Sequence, residues 1–380
     1  MNIDALNETF LFCMDVSLTK EDKVIIATPH LPFEIDKRTD GAYSFRQTDE
    51  NLIYSILFNM KEKKICDVTW VGMLSNYKDY TSKELEIINE MLKESNIHMI
   101  ELTDIEYKNY WIYINQILTP VFIESTIDIK NEFFLNYEEY FSSYQTVNKK
   151  FGDLIYNIMS GNELIMINDI SLALIPNALL QKNINAKIGI YFHNCFPSSD
   201  VIKTFPYHVE ILKSVLLCDV IGFHVYNYAR NFLTSLNRIF GIFPEIKIKG
   251  YLTLNYLGRF IIVHIMHAGI DLDYVYAITN KGDYKKYKIK YKQIIQNKFS
   301  MISIDNIHEP TQLLIKLEAY DIFISKHPEI VDSIVLIEVI IYDNTDEKKL
   351  MPEIKEKYKE IVTKYGNDVM YHLLFLSSWH

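Results

Sequence analysis

Residues Leu164–Gly241 read LIMINDISLALIPNALLQKNINAKIGIYFHNCFPSSDVIKTFPYHVEILKSVLLCDVIGFHVYNYARNFLTSLNRIFG. Three short apolar runs, Leu164–Ile167, Ile188–Phe192 and Val220–Phe223, alternate there with three segments of helical character. Short runs built from Ile, Leu, Val, Phe and Met suit strands buried on both faces of a parallel sheet. Each run stops at polar residues: Asn168 and Asp169, then His193, then His224. Ligands of open α/β sheets sit just beyond the carboxyl ends of the strands. Polar residues at three such ends therefore predict a site.

The pattern continues toward the N-terminus. Lys23–Ala27 reads as a first core strand, and the prolines of Thr28–Pro32 are expected to end it and expose His30. Asp40-Gly41 signals a turn into a returning strand at Ala42–Arg46, and Glu50–Lys61 has the one-sided apolar spacing of a helix. Val68–Met73 is a second core strand. Thr81-Ser82-Lys83-Glu84 is a capping box opening a helix, and Ile97–Leu102 is a third strand. Tyr107–Phe122 is rich in aromatic residues. Glu132–Ser160 predicts a long helix with a break near Ser142–Ser143.

Beyond Gly241, Leu252–Leu257 and Phe260–Ile265 have strand character, and Lys281–Asn297 is a charged helix where the core pattern lapses. A second α/β pattern follows: strand Phe299–Ile304, helix Gln312–Lys326, strand Ser333–Ile341, helix Glu353–Lys364 and strand Met370–Phe375. The expected organisation is a complete N-terminal Rossmann-like domain over residues 1–280 and a partial C-terminal one over 298–380.

Composition narrows the function. A net charge of −10 argues against nonspecific nucleic-acid binding, which needs surplus Lys and Arg. The four cysteines are scattered without a C-x-x-C pair, so they read as reduced thiols of a cytoplasmic protein, and no metal site is expected. The apolar patch Phe10–Met14 lacks the basic flank of a signal peptide, and no run is long enough to span a membrane.

Residues Ile188–Gly241 resemble the core of trehalose-6-phosphate synthases, whose pattern runs roughly GFFLHxPFPSSEIxRxLPxRxEIL, then LLxxDLIGFHTxDYARHFLS. The spacing is kept without gaps, and the plant-type members that carry an extra phosphatase domain are most similar. KVIIATPHLP resembles the family's first strand and loop, and PEIVDSIVLIEVI an early strand of its second domain. The resemblance implies an α/β GT-B fold and glucosyl transfer from a nucleotide glucose to glucose 6-phosphate, with retention of configuration and without a metal or other cofactor. It places His193 as the active-site histidine beside the donor sugar. It implies acceptor contacts for Asp169 and Tyr110, a phosphate-loop position for His30, and the glycine of a Pro-Val-Gly-Ile segment at Gly269.

The sequence also departs from that pattern. The residues flanking Asp169 are Asn168, Ile170 and Ser171 in place of two histidines and a tyrosine. His30 stands where the family has a phosphate-binding arginine, and an imidazole lacks the guanidinium fork. Glu50 and Asn51 replace a glycine pair, and Thr119 a tryptophan. In the second domain, Asn306 and Thr311 occupy the positions of the arginine and lysine that neutralise a departing nucleotide diphosphate, and Gln312 replaces the glycine after that lysine. Losing one such group typically costs on the order of 10²–10³ in rate. The expectation is a synthase-like protein that is weak or inactive, with a non-catalytic sugar-phosphate sensor or regulatory subunit as the alternative. Glucose 6-phosphate or trehalose 6-phosphate are the expected ligands, nucleotide glucose and membranes are not, and an active synthase or phosphatase is the expected partner. Purely structural readings stand beside these roles: Asp169 as a helix N-cap, Tyr110 as core, Arg230 as an ion-pair partner, His224 as scaffold, and Ser198 or Ser199 as an N-cap.

Overall fold

The computed structural model describes residues 19–38, 41–47, 66–122, 136–182, 186–246, 252–267, 269, 272–280, 282–295, 297–306, 310–342, 351–366 and 369–376. The patch at Phe10–Met14, Cys13, the helix expected at Glu50–Lys61 and the Glu50-Asn51 pair lie outside them. The contacts part the chain into two compact units, Met1–Ile270 and Asp271–His380.

In the first unit, β1 (Lys23–His30) pairs in parallel with β4 (Asp67–Met73) on one side and β6 (Leu164–Asn168) on the other. A short antiparallel pair, β2 (Phe33–Lys37) and β3 (Tyr43–Gln47), stands apart as its own sheet. The main sheet has the order β5-β4-β1-β6-β7-β8-β11-β10-β9. Its remaining strands are β5 (Ile97–Met99), β7 (Lys187–Phe192), β8 (Val220–Phe223), β9 (Glu245–Ile246), β10 (Leu252–Tyr256) and β11 (Arg259–Ile265). Every pairing from β5 to β11 is parallel, and β10 returns antiparallel through a turn in which Leu257 (φ 51°) and Gly258 (φ 79°) both adopt positive φ. Two consecutive positive φ values match the twist of a tight hairpin.

Alternation along β1 explains the two-sided core. Ile25 and Ala27 join the large cluster on one face, and Val24 and Ile26 the smaller cluster on the other. The first face carries α2 (Asp104–Ile112), α3 (Tyr137–Ile158), α4 (Ile175–Leu180), α5 (His208–Val215) and α6 (Tyr226–Phe240). The other face is covered by α1 (Ser82–Glu94) through Ile88 and Leu92. The capping box of α1 is present in full, Thr81 and Glu84 each satisfying the other's backbone N–H.

Two local expectations are corrected. The first strand does not stop before Pro29: it runs to His30 by shifting register between Ala27 and His30, where the missing N–H of proline is tolerated. The break expected near Ser142–Ser143 is absent. Ser143 Oγ donates to Glu139 O and Thr146 Oγ1 to Ser142 O, so the hydroxyls bond back along α3 and the helix continues. The aromatic stretch after α2 passes through a π-helical turn at Tyr113–Leu118.

The second unit begins with α7 (Leu272–Asn280) and α8 (Gly282–Ile295), then alternates β12 (Phe299–Asn306), α9 (Pro310–Lys326), β13 (Ile334–Tyr342), α10 (Met351–Tyr365) and β14 (Met370–Leu376). Its three strands are parallel in that order, and Leu313, Leu317, Ile354 and Ile361 pack the helices onto Leu336 and Ile340. Glu338, fully buried in β13, is met by Lys316 of α9 at 3.1 Å. Among the described residues no helix is long and apolar enough to cross a membrane.

Candidate functional site

The strand order reverses direction around β1: the chain steps outward through β4 and β5, then returns to the far side at β6. A crevice opens at such a switch point beyond the carboxyl ends of the strands. The residues that close β1, β6, β7 and β8 meet there, so three polar endings separated in sequence become neighbours.

Asp169 follows β6 with φ 75° and ψ 173°, a region that is essentially reserved for glycine and costs of order 1–3 kcal/mol for a side chain. Three bonds hold it there. Its N–H donates to Tyr191 O at 3.0 Å, Oδ1 accepts from Ile170 N at 2.7 Å, and Oδ2 accepts from Asn194 Nδ2 at 3.1 Å. The capping reading is thus correct in kind, the cap serving a single 3₁₀ turn at Ile170–Leu172. Burial pushes its carboxyl up to about 6, against the lowering effect of the N–H groups of Ile170 and His193. A carboxyl so placed can accept from ligand hydroxyls or hold a proton near neutrality.

His193 follows β7 with Nε2 3.0 Å from Asn168 Oδ1 and Nδ1 3.4 Å from His224 Nε2. Burial, and then the neighbouring His224, lowers its pKa to about 4, so the ring is neutral at pH 7. His224 Nδ1 lies 3.2 Å from the hydroxyl of Tyr191, which donates to Met266 O. Tyr191 has room because its register partner on β8 is Gly222, where a Cβ would fall 2.4 Å from the ring. His224 is thus one of the three polar strand ends as well as scaffold, while Tyr191 and Asn194 carry no motif that marks them in the sequence. A glycine paired with a tyrosine just before two strand-end histidines was the available signal.

His30 is not exposed as expected. It is half-buried, stacked on Trp111 with centroids 4.4 Å apart and planes 3° from parallel, and its Nδ1 has no partner among the described residues. Burial lowers its pKa to about 4. The backbone around it is fixed by Trp70 Nε1 donating to Thr28 Oγ1 at 2.7 Å, which in turn donates to His30 O at 2.6 Å. Tyr110 lies fully buried beneath the site, its hydroxyl donating to Ser171 O at 3.1 Å. Tyr144 and Asn148 of α3 bond the same turn, through Ile170 O at 2.7 Å and Ser171 O at 3.1 Å. Tyr110 therefore supports the segment that carries Asp169 and does not itself face the opening.

Gly269 is exposed a few residues beyond β11, and a Cβ there would meet nothing within 4 Å. Arg230 makes no ion pair among the described residues, which corrects its expected role; it is exposed on α6. Ser198 occupies the N-cap position of the single turn at Ser199–Ile202 without a side-chain cap bond, and the hydroxyl of Ser199 accepts from Arg238 Nη1 at 2.7 Å. In the second unit, Asn306 closes β12, and Thr311 and Gln312 lie in the first turn of α9. No cluster of three or more His, Cys, Asp or Glu suited to a metal occurs among the described residues.

Solved structures share this architecture. The N-terminal domain of Candida albicans trehalose-6-phosphate phosphatase superposes with a TM-score of 0.76 at 21% identity, covering 94% of this chain and 73% of that one. A UDP-forming trehalose-phosphate synthase from Burkholderia xenovorans, solved with glucose 6-phosphate, gives 0.69 at 15% identity over 93% and 74%. In sequence, a UDP-forming trehalose-phosphate synthase of Dictyostelium discoideum is 28% identical over 350 residues, which are 91% of this chain. The chain spans 45% of that relative's length. The sequence model of glycosyltransferase family 20 matches residues 22–378, so more than nine-tenths of the chain is accounted for, and the chain belongs to that family.

Proposed function

We propose that this chain is a trehalose-6-phosphate synthase-like protein whose first unit binds a sugar phosphate at the crevice between β1 and β6, with little or no turnover of its own. In this reading residues 1–280 form the acceptor side and residues 298–380 belong to the donor side. The observation that carries it is Asp169. A side chain is held in a glycine-only backbone region, with its carboxyl raised to about 6, one strand away from a neutral histidine. Strain of that kind persists where the surrounding structure over-determines it, and such places cluster at ligand sites. The relative solved with glucose 6-phosphate supports that ligand class. Asp169 would accept from sugar hydroxyls, His193 would face the transferred sugar, and Tyr110 would act as a positioning residue beneath them.

His30 favours the non-catalytic version, a sensor or regulatory subunit associated with an active synthase or phosphatase. A neutral, stacked imidazole cannot neutralise a phosphate as a guanidinium does. The deciding experiment pairs two measurements on the chain: calorimetry with glucose 6-phosphate and trehalose 6-phosphate, and nucleotide release with UDP-glucose and glucose 6-phosphate. Heat without turnover is expected. Nucleotide release that disappears in His193→Ala would establish an active transferase instead, and absence of heat with both sugar phosphates would remove the sensing version.

A further inference from the structure

We infer that Asn194 is a positioning residue for Asp169: its amide holds the carboxylate so that a single acceptor position is left for a ligand, the place of one hexose hydroxyl. This assignment rests on the sugar-binding reading above and narrows it from sugar hydroxyls in general to one.

Two separately held stretches of backbone meet at this pair. Tyr110, Tyr144 and Asn148 fix the turn after β6 from below. Asn148 is fully buried, its Nδ2 donates to Ser171 O at 3.1 Å, and its Oδ1 accepts from Leu174 N at 3.0 Å. The loop after β7 is fixed by α6. Asn231 Nδ2 donates to Phe196 O at 2.9 Å, and Cys195 Sγ lies 3.0 Å from the Tyr228 hydroxyl. Asp169 and Asn194 join the two stretches, through Asp169 N–H to Tyr191 O at 3.0 Å and Asn194 Nδ2 to Asp169 Oδ2 at 3.1 Å. A carboxylate only accepts, so the NH₂ side of the Asn194 amide is the side that faces it.

An ionised carboxyl offers about four acceptor positions. Among the described residues three donors converge on Asp169: Ile170 N–H on Oδ1 at 2.7 Å, Asn194 Nδ2 on Oδ2, and the backbone N–H of His193. One position remains. A phosphate oxygen is itself an acceptor and is repelled by the carboxylate, whereas a hydroxyl donates its proton there with an oxygen–oxygen distance of about 2.7 Å. Residue type at 194 matters for the same reason. An uncharged amide orients Asp169 without neutralising it; a lysine would make the carboxylate half of an ion pair, and an aspartate would force one of the two to keep its proton. The chemical class is therefore one uncharged hydroxyl of a hexose, bound apart from any phosphate that the ligand carries.

The test follows the Asp169 carboxyl by ¹³C NMR in the full chain, with Asp169→Asn for assignment. The titratable groups that face it are Tyr110 from α2, Tyr144 from α3, and His193 after β7 with His224 beside it. Burial raises both tyrosines and lowers both histidines, so the midpoint at about 6 belongs to Asp169. Asn194→Ala withdraws a hydrogen bond from the ionised form and should move that midpoint upward by about one pH unit. Asn194→Ser, which keeps a donor, should move it less. A midpoint that stays in place in the alanine variant overturns the inference. Calorimetry at pH 7.5 supplies an independent arm, comparing glucose 6-phosphate with its 1-, 2-, 3- and 4-deoxy forms. One deoxy penalty, up to about tenfold, should vanish in Asp169→Ala. Two vanishing together, or none, overturns the single-hydroxyl assignment and leaves the proposed function standing. Absence of heat with glucose 6-phosphate itself fells both.

Discussion

Asp169 combines two costs, a backbone that glycine alone adopts freely and a carboxyl that burial discourages from ionising. Comparing two replacements separates them. Asp169→Ala and Asp169→Gly both lose the side-chain bonds to Ile170 and Asn194, but only glycine relieves the backbone. The glycine variant should be more stable than the alanine variant by about 1–3 kcal/mol in urea unfolding. Equal stabilities would mean that the strain is absent. The pH dependence has a definite sign. Asp169 rises from 3.8 to about 6 on folding, so its stabilising contribution is present below 3.8 and lost as pH rises through 6. His30 and His193 fall from 6.5 to about 4, so theirs is present above 6.5 and lost as pH falls through 4. Between these limits the unfolded chain binds two more protons at the histidines and one fewer at Asp169. From these three groups alone, stability should climb by about 1.4 kcal/mol per pH unit between pH 4 and pH 6. Asp169→Asn removes the opposing contribution and should roughly double that slope.

Helix packing against the site leaves little slack. A Cβ on Gly152 of α3 would lie 2.7 Å from Cβ of Ala178 in α4. Alanine would gain about 1 kcal/mol in helix propensity, but overpacking costs about 1–3 kcal/mol. Gly152→Ala should therefore destabilise or at best break even, despite improving the isolated helix; a clear rise in Tm would show that α3 and α4 can separate. At this scale the sequence was informative where burial is symmetrical. The runs at Leu164–Ile167, Ile188–Phe192 and Val220–Phe223 became β6, β7 and β8, and the second-unit elements appeared within a few residues of their expected ends. The polar strand ends marked Asp169, His193 and His224, and resemblance gave the first two their expected roles. What remained hidden depends on partners distant in sequence. The environment of His30 comes from Trp111, Tyr110 is buried under Ser171, and His224 gains its place from Tyr191 and His193. Hydroxyls bonding back along α3 also erased a break that propensity alone suggests.

For the molecule as a whole, the two units differ in how their sheets end. The nine-stranded sheet closes on β5, three residues long, and β9, two residues long. Neither offers a foreign strand much to pair with. In the second unit one of the two outer strands, β12, has eight residues, with Phe299 and Ile302 each 70% exposed and Ile304 64% exposed. Long, apolar, exposed edges template association with other chains. Self-association of the chain on concentration or mild heating should therefore begin at β12, and Ile304→Lys should delay the onset of light scattering without altering the glucose 6-phosphate binding proposed for the first unit. An unchanged onset would place the sticky surface elsewhere. On the proposed reading, self-association and sugar-phosphate recognition belong to different units, so a charge placed on β12 for handling the protein is expected to leave the crevice chemistry intact.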